Sequence, residues 1–519
     1  MPLRPATDRA SWIWPLAAFF VICLFVQAST GAWNASFTSY PDEPAHFVGS
    51  VMVRDYLASL PAAPRRFAEN YYWHYPYFGV GIWPPLLYLI TALWFLIAGV
   101  GRVQALLVVA AATAGTASVI CSLVRKRAGL VAGFCAGLLF LSLPEVQRWL
   151  CAVVADNVVT FFCLAAAACL IRYFEAASFR SALGFALCAG CAILTKYSAW
   201  FLCVLPFAAL VALRRFDLLR KRSLWTQPIA IGATVGPWAI WTAKFITRVP
   251  AWPLGSVPGR LGAFSLEAVR ILPPVLAVAA AVGLLLLALR PGIWKADLAV
   301  LVFFVLGQIA FLSIAPPAGV ETRYVLPVAG AVLVLAFAGW QAALEPLTRR
   351  GGAWAQAVPA FCLALTLPFA ATHLRAYSRP PRYPIRNVVE TIMANRAWDG
   401  KRILVASDLE GPIIAEFAIQ DRPRPGHWLL RPSKVLASSN WYGSEYSSFF
   451  HSAEDLGAWL KEGHLAVIIW HQRHGELRPH EVFLGQVLAA HPPWLREVAS
   501  FDSSAWEIYE YVPATAAPR

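Results

Sequence analysis

Two adjacent carboxylates, Asp42 and Glu43, stand just after the first apolar stretch of the chain, and His46 follows them. A positioned carboxylate can take the proton from an acceptor hydroxyl, so this pair could supply a general base. The same pattern is typical of a helix start, with Asp42 as the N-terminal cap and Pro44 in the first turn. From the sequence alone, a role as general base and a role as helix N-cap explain Asp42 equally well. Glu43 and His46 form a single ligand pair, so the pattern predicts no metal centre and no cofactor, although it is compatible with a divalent metal.

A second set of charged residues lies at the ends of later apolar stretches: Asp156, Lys196, Glu321 and Arg323. Two cations near the headgroup plane, Lys196 and Arg323, are suited to hold a departing phosphate anion. Each also has a structural interpretation, Lys196 as a helix-end lysine that reaches the interface and Arg323 as an anchor paired with Glu321. Asp156 either caps the helix that follows it or orients the loop that carries Asp42.

The elements that would position these side chains are mostly membrane helices. The 519 residues are 59% hydrophobic and 14% charged, whereas soluble domains carry about 25% charge. Apolar runs of roughly 17 to 22 residues, long enough to cross a bilayer as helices, recur along most of the chain. We predict about eleven spans, near residues 12–30, 103–123, 129–147, 157–174, 182–195, 197–213, 227–246, 271–289, 297–314, 324–342 and 354–373. A further run, 83–100, opens with Trp83-Pro84-Pro85 and is predicted to be a re-entrant or surface helix.

The formal net charge of +14 comes from the apolar part of the chain, because residues 375–519 hold 16 Lys and Arg against 16 Asp and Glu. Basic clusters between apolar runs, such as those at 125–127 and 214–222, orient membrane helices. The charge therefore indicates contact with membrane lipids and no nucleic-acid partner. If the basic loops face the cytoplasm, the N-terminus is cytoplasmic and the C-terminal domain lies outside a bacterial inner membrane.

Residues 376–519 differ from the rest of the chain, with dispersed charge and apolar runs of strand length. The runs at 402–406 and 465–469 are predicted strands between helical patterns, and the final runs at 495–501 and 506–512 predict a closing hairpin. We therefore expect a small α/β domain with a mainly parallel sheet. Neither of the first two strands is followed by a Gly-rich phosphate loop, so nucleotide binding is not expected.

Five short motifs occur in order along residues 10–345. They are Asp42-Glu43 in a first outer loop, Trp83-Pro84-Pro85-Leu86-Leu87-Tyr88 at the surface helix, Ala155-Asp156-Asn157 at a helix start, Leu194-Thr195-Lys196 at a helix end, and Arg323-Tyr324-Val325-Leu326-Pro327 in a late loop. Together they resemble the motifs of the GT-C glycosyltransferases of family 39, which include protein O-mannosyltransferases and the lipid A aminoarabinose transferase.

The resemblance implies a GT-C fold, that is, a mainly α, polytopic transmembrane bundle over residues 1–375 with a small extracytoplasmic α/β domain over residues 376–519. Its first outer loop would cover residues 31–82. The resemblance also implies a transferase that takes a sugar from a polyprenyl-phosphate donor and passes it to a lipid, glycan or protein acceptor at the outer face.

The roles of individual residues follow the matching motifs. Asp42 would be the general base with Glu43 as the second catalytic carboxylate, and Lys196 and Arg323 would bind the donor phosphate. The supporting residues would be Asp156, His46, His74 and Tyr324. The stretch at 248–270 departs from the aminoarabinose transferases, because it has Arg260 but no histidine, so the resemblance leaves the sugar and the acceptor open.

A membrane transporter or lipid flippase is the alternative function, and a non-catalytic membrane scaffold is a third. A transporter would place coupling charges near the middle of the membrane and show inverted repeats. Here the charged residues fall at the ends of the predicted spans, which favours a site that opens at one face.

Overall fold

A computed structural model describes residues 10–38, 40–79, 81–246, 255–289, 295–317, 319–348, 357–374, 382–439, 445–471, 476–502 and 505–512. Helices make up most of these residues, and the larger sheet lies in the C-terminal part of the chain. The predicted fold class, a mainly α polytopic bundle with a small α/β region, is confirmed.

Every predicted span overlaps a helix of the structure. The helices before the sheet are α1 (Ala10–Ser29), α2 (Asp42–Ser59), α3 (Pro64–His74), α4 (Leu86–Ala98), α5 (Arg102–Leu141), α6 (Pro144–Leu150), α7 (Asp156–Ala176), α8 (Phe179–Thr195), α9 (Leu205–Ala212), α10 (Arg222–Ile246), α11 (Val257–Arg270), α12 (Pro274–Ala288), α13 (Ala296–Ile314), α14 (Leu326–Thr348) and α15 (Ala357–His373). Short 3₁₀ segments at Tyr197–Cys203 and Thr322–Val325 lead into α9 and α14.

Four helical segments among the described residues are long and apolar enough to cross a membrane alone, namely α5, α7, α13 and Thr322–Pro346. The pair α11 and α12, bent by 108° at its break, passes the same test together. By contrast, α4 has 13 residues and is about 20 Å long at 1.5 Å per residue, less than the hydrocarbon thickness of about 30 Å. The chain is therefore a multi-pass membrane protein, and the number of spans is approximate.

The predicted span 103–123 and most of the predicted span 129–147 form one 40-residue element, α5, with a break at Gly129, and the end of the second span lies in α6. Gly129 has φ of 85°, a left-handed conformation that glycine adopts without steric cost. The predicted break between two helices is thus present, but it is a single-residue kink, and the second half ends at Leu141.

Close packing of α12 and α14 depends on small residues. A Cβ atom added to Gly283 would lie 2.6 Å from the carbonyl oxygen of Ala336, and one added to Gly339 would collide with the carbonyl of Gly283. Membrane helices lack a hydrophobic driving force between them, so such close backbone approach supplies the packing energy instead.

The C-terminal part contains a five-stranded sheet with the order β2-β1-β5-β7-β6. Its strands are β1 (Arg402–Ala406), β2 (Trp428–Leu430), β5 (Val467–His471), β6 (Leu495–Phe501) and β7 (Trp506–Tyr511), and β3 (Ala437–Ser438) and β4 (Ser447–Ser448) form a separate pair. The helices are α16 (Ile385–Ala394), α17 (Glu410–Gln420), α18 (Pro432–Val435), α19 (Ala453–Lys461) and α20 (Pro479–Ala489). The predicted strands and the closing hairpin are present. The sheet is mixed, because β1 pairs in parallel with β2 and β5, whereas β7 runs antiparallel to β5 and β6.

The chain divides into two compact units. The first contains residues 1–33, 81–87 and 105–379, and the second contains residues 34–80, 88–104 and 380–519. The loop that carries Asp42 and most of α4 therefore belong with the C-terminal sheet rather than with the main helical bundle. The membrane and extracytoplasmic boundaries of the two predicted domains stay predictions.

Candidate active site

In the first unit, both predicted phosphate-binding cations meet the carboxylate of Asp156. Asp156 is the first residue of α7 and is 2% exposed, and Lys196 directly follows the last residue of α8. Lys196 Nζ donates to Asp156 Oδ1 at 2.5 Å, and Arg323 Nη1 lies 3.7 Å from Asp156 Oδ2. Asp156 makes no side-chain capping bond at the start of α7, so its carboxylate serves the cations instead.

Aromatic rings and a second carboxylate complete this cluster. Lys196 Nζ lies 4.4 Å from the centre of the Tyr324 ring, and the Arg323 guanidinium lies 5.5 Å from that of Trp149. Arg323 is only 5% exposed, and its Nε and Nη2 meet the two oxygens of Glu321 at 2.9 and 3.2 Å. Glu321 is the most exposed member of the four charged groups, with 39% of its side chain accessible.

The arrangement could bind an anion because it places two cations beside the same carboxylate. A guanidinium fork that grips a carboxylate through two nitrogens has the geometry that also fits a phosphate. Glu321 occupies that fork, and a phosphate would have to replace it. The predicted residues Lys196, Arg323, Asp156 and Tyr324 are therefore together in one cluster of the first unit.

In the second unit, Asp42 is the first residue of α2 and is partly exposed. The N-cap position belongs to Pro41, and α2 has no side-chain cap bond. The capping interpretation of Asp42 is therefore wrong in its detail, and the carboxylate lies in the first helical turn, where the helix dipole favours a negative charge.

Glu43 has a different environment from its neighbour, because its side chain is completely buried. It accepts hydrogen bonds from Arg102 Nε at 3.1 Å and Nη2 at 2.8 Å, and from the backbone nitrogen of Thr38 at 2.8 Å. Arg102 is 7% exposed and also lies 5.5 Å from the ring centre of Phe37. Glu43 thus ties down the segment before α2 and positions Asp42 without itself facing solvent.

The two predicted supporting histidines do not share a site. His46 Nδ1 lies 3.0 Å from the hydroxyl of Tyr88, so it joins α2 to α4. His74, at the end of α3, lies 2.9 Å from the carbonyl oxygen of Asn70 and stacks on Trp428 with 4.0 Å between ring centres. His74 therefore packs against the C-terminal sheet, where its ring covers part of Trp428.

Sequence reasoning missed Tyr77, which interacts with the charge of Asp42, and the ion pair of Arg431 and Glu410 beside it. Burial, followed by the charges of Glu410 and Asp42, raises the pKa of Tyr77 to about 12, although Arg431 opposes the shift. Arg431 Nη2 pairs with Glu410 Oε1 at 2.5 Å, and the Cζ atom of the same guanidinium lies 4.9 Å from the centre of the Tyr77 ring. A Cβ on Gly411 would lie 2.8 Å from Pro44 Cγ, so α17 packs directly on the first turn of α2. No local signal in the sequence connects residues so far apart.

A second link within this unit centres on Asp55 in α2. Arg424 donates to its two carboxylate oxygens at 2.8 and 3.1 Å, and Tyr71 and Arg54 donate at 3.0 and 2.7 Å. Burial alone would raise the pKa of Asp55, but the hydrogen bonds and the charge of Arg424 outweigh it and lower the pKa. Asp55 therefore stays ionised and stabilises this unit.

Across the described ranges, no three His, Cys, Asp or Glu side chains come together as metal ligands.

Comparison with known proteins connects these observations. Residues 83–241 match the family model described as dolichyl-phosphate-mannose-protein mannosyltransferase. The crystal structure of ArnT from Cupriavidus metallidurans bound to undecaprenyl phosphate is similar over 99% of this chain and 100% of its own, with 16% identity and a TM-score of 0.60. No curated protein sequence matches the chain significantly.

The archaeal oligosaccharyltransferase of Archaeoglobus fulgidus, tethered with an acceptor peptide containing the NVT sequon, is similar over 89% of this chain and 69% of its own, with 12% identity and a TM-score of 0.54. The archaeal oligosaccharyltransferase AglB from Archaeoglobus fulgidus, in complex with an inhibitory peptide and a dolichol-phosphate, is similar over 88% of this chain and 69% of its own, with 13% identity and a TM-score of 0.52. At these identities the structural likeness establishes a shared fold. The predicted resemblance is confirmed at the level of the fold: the chain has the GT-C fold, and residues 83–241 match a mannosyltransferase family model.

Proposed function

We propose that this protein transfers a sugar from a polyprenyl-phosphate donor to an acceptor at the outer face of the bacterial inner membrane. The acceptor is a lipid, a glycan or a protein. Asp42 serves as the general base, and Lys196 and Arg323 hold the donor phosphate.

The observation that carries this proposal is the pair of cations held on Asp156. Lys196 and Arg323 are 17% and 5% exposed, so a phosphate that replaced Glu321 would meet both charges in a region of reduced dielectric, where attraction between opposite charges is stronger. A surface anchor would need neither this burial nor a shared carboxylate. The similar structures of ArnT and AglB contain undecaprenyl phosphate and a dolichol-phosphate, respectively, which supports a lipid phosphate as the ligand.

The reaction needs one base and no strong acid. The acceptor oxygen forms a bond to the anomeric carbon while the bond from that carbon to the phosphate oxygen breaks, and the phosphate leaves with the electron pair. Asp42 takes the acceptor proton. Because the leaving group is already a phosphate anion, a second carboxylic acid of the kind that glycosidases use is not required. The burial of Glu43 agrees with a positioning role for that residue.

The test is donor consumption by membranes that contain the full-length chain. Membranes would be supplied with a polyprenyl-phosphate sugar, and release of the free polyprenyl phosphate would be measured. Lys196→Ala should lower the rate by about 10²–10³, the usual effect of losing a group that stabilises a developing anion.

Lys126→Ala is the matched control, because Lys126 is 46% exposed and pairs with Glu175 at a distance of 3.6 Å. It should keep the wild-type rate. Equal rates for wild-type protein and Lys196→Ala would show that the donor phosphate is bound elsewhere.

A further inference from the structure

A cavity of about 190 Å³ lies in the first unit among α8, α9, α10 and the 3₁₀ segment Tyr197–Cys203. Its wall is mostly apolar and includes Phe185, Trp200, Phe207 and Ile231. An engineered apolar cavity of about 150 Å³ in another protein takes up benzene. The space is therefore large enough for part of an alkyl chain.

Gln227, near the start of α10, interrupts this apolar wall. Its side chain is 1% exposed, and neither Nε2 nor Oε1 has a hydrogen-bond partner within the residues that the structure describes. Burying an amide without hydrogen-bond partners costs free energy, and inside a membrane there is no water to bind it instead. A ligand that brings a hydrogen-bonding group into the cavity would remove that cost.

Basic residues stand at the same end of α10. Arg220, Lys221 and Arg222 are exposed, and Arg222 begins the helix. At 1.5 Å per residue, Gln227 lies about 7–8 Å further along the axis from Arg222. Juxtamembrane Lys and Arg attract anionic lipid headgroups. Along this end of α10, a ligand would therefore meet the positive charges of residues 220–222, then the amide of Gln227, and then the apolar cavity.

We propose that this end of α8, α9 and α10 binds one anionic glycerophospholipid. Its phosphate lies at residues 220–222, an ester carbonyl accepts a hydrogen bond from Gln227 Nε2, and an acyl chain enters the cavity. A glycerophospholipid carries these three groups in this order. A polyprenyl phosphate has no carbonyl beside its phosphate and would leave Gln227 unsatisfied.

The polar end of this lipid site lies away from the cation cluster. Trp238 of α10 donates a hydrogen bond to the hydroxyl of Tyr197, the neighbour of Lys196, and Trp238 is about 16 Å further along α10 than Gln227. The lipid site consequently does not depend on the proposed transfer reaction.

Two glycines of α10 provide a matched test. A Cβ at Gly232 or at Gly236 would meet no heavy atom within 4 Å, but of the two only Gly232 lines the cavity. Leucine at either position should therefore be tolerated, and leucine at 232 should obstruct the acyl chain.

Purified full-length protein would be exposed separately to phosphatidylglycerol, phosphatidylcholine and undecaprenyl phosphate, and bound lipid would be counted by native mass spectrometry. The wild type and Gly236→Leu should retain one phosphatidylglycerol. Gly232→Leu should retain at least about tenfold less, equivalent to about 1.4 kcal/mol. Gln227→Leu, which loses one net hydrogen bond, should retain about fivefold less.

Equal retention of phosphatidylglycerol by the wild type and Gly232→Leu would overturn the proposal, and so would wild-type preference for phosphatidylcholine or undecaprenyl phosphate. Thermal melting separates binding from folding. Added phosphatidylglycerol should raise the melting temperature of the wild type and of Gly236→Leu but not that of Gly232→Leu.

Discussion

Replacing Asp42 with Asn tests the general base while leaving α2 almost unchanged. Pro41 rather than Asp42 occupies the N-cap, and Asn caps helices about as well as Asp, so the substitution changes mainly the charge. The lost charge is worth about 0.3–1 kcal/mol against the helix dipole, whereas a positioned base contributes about 10²–10⁴ in rate. We therefore expect near-normal protein abundance with transfer reduced by that factor.

Glu43→Gln is the comparison, and the structure predicts the opposite phenotype for it. Glu43 is fully buried against Arg102, which is 7% exposed. Removing one partner of a buried ion pair costs about 3–5 kcal/mol, a large share of a total stability of about 5–15 kcal/mol. We expect a lower melting temperature and lower abundance. Adding Arg102→Met should restore much of the stability, because no unpaired charge is then buried.

The assay is transfer of labelled sugar from the lipid carrier in membranes, normalised to protein level, together with thermal melting of the purified proteins. Wild-type transfer by Asp42→Asn would refute the assignment of the base. Wild-type melting of Glu43→Gln, combined with impaired transfer, would show that the buried pair does not stabilise the fold as argued.

Three further predictions concern other charged or stacked side chains. Glu321→Gln should weaken the interaction with Arg323 that competes with the donor phosphate. The KM for the donor should therefore fall severalfold in steady-state kinetics, while the rate at saturating donor stays the same. Asp55→Asn should lower the free energy of unfolding at pH 7 by about 3 kcal/mol, measured by thermal melting. Hydrogen bonds from Arg424 lower the pKa of Asp55 despite its burial, so the wild type loses this extra stability as the pH falls below about 4. The melting temperatures of the two proteins should therefore converge at low pH. His74→Phe keeps a stacked ring and should show near wild-type transfer in the membrane assay.

The sequence was sufficient for those features that depend on local pattern. Apolar runs without charge predicted the membrane helices, and the strands at 402–406 and 495–501 have the predicted bounds. Local pattern succeeds here because helix formation in a membrane is forced by the need to satisfy backbone groups within each segment. Prediction from local pattern missed α11, because this helix is amphipathic and too short to cross the membrane.

Only the tertiary structure decided which charges meet. Lys196 and Asp156 are 40 residues apart and Arg102 and Glu43 are 59 apart, and neither pair has a periodic signal in the sequence. The motifs placed Asp156, Lys196 and Arg323 at helix ends, but helix packing alone brought both cations to one carboxylate. A salt bridge forms only when its two charged groups come within about 4 Å of each other, so the fold decides which partners meet.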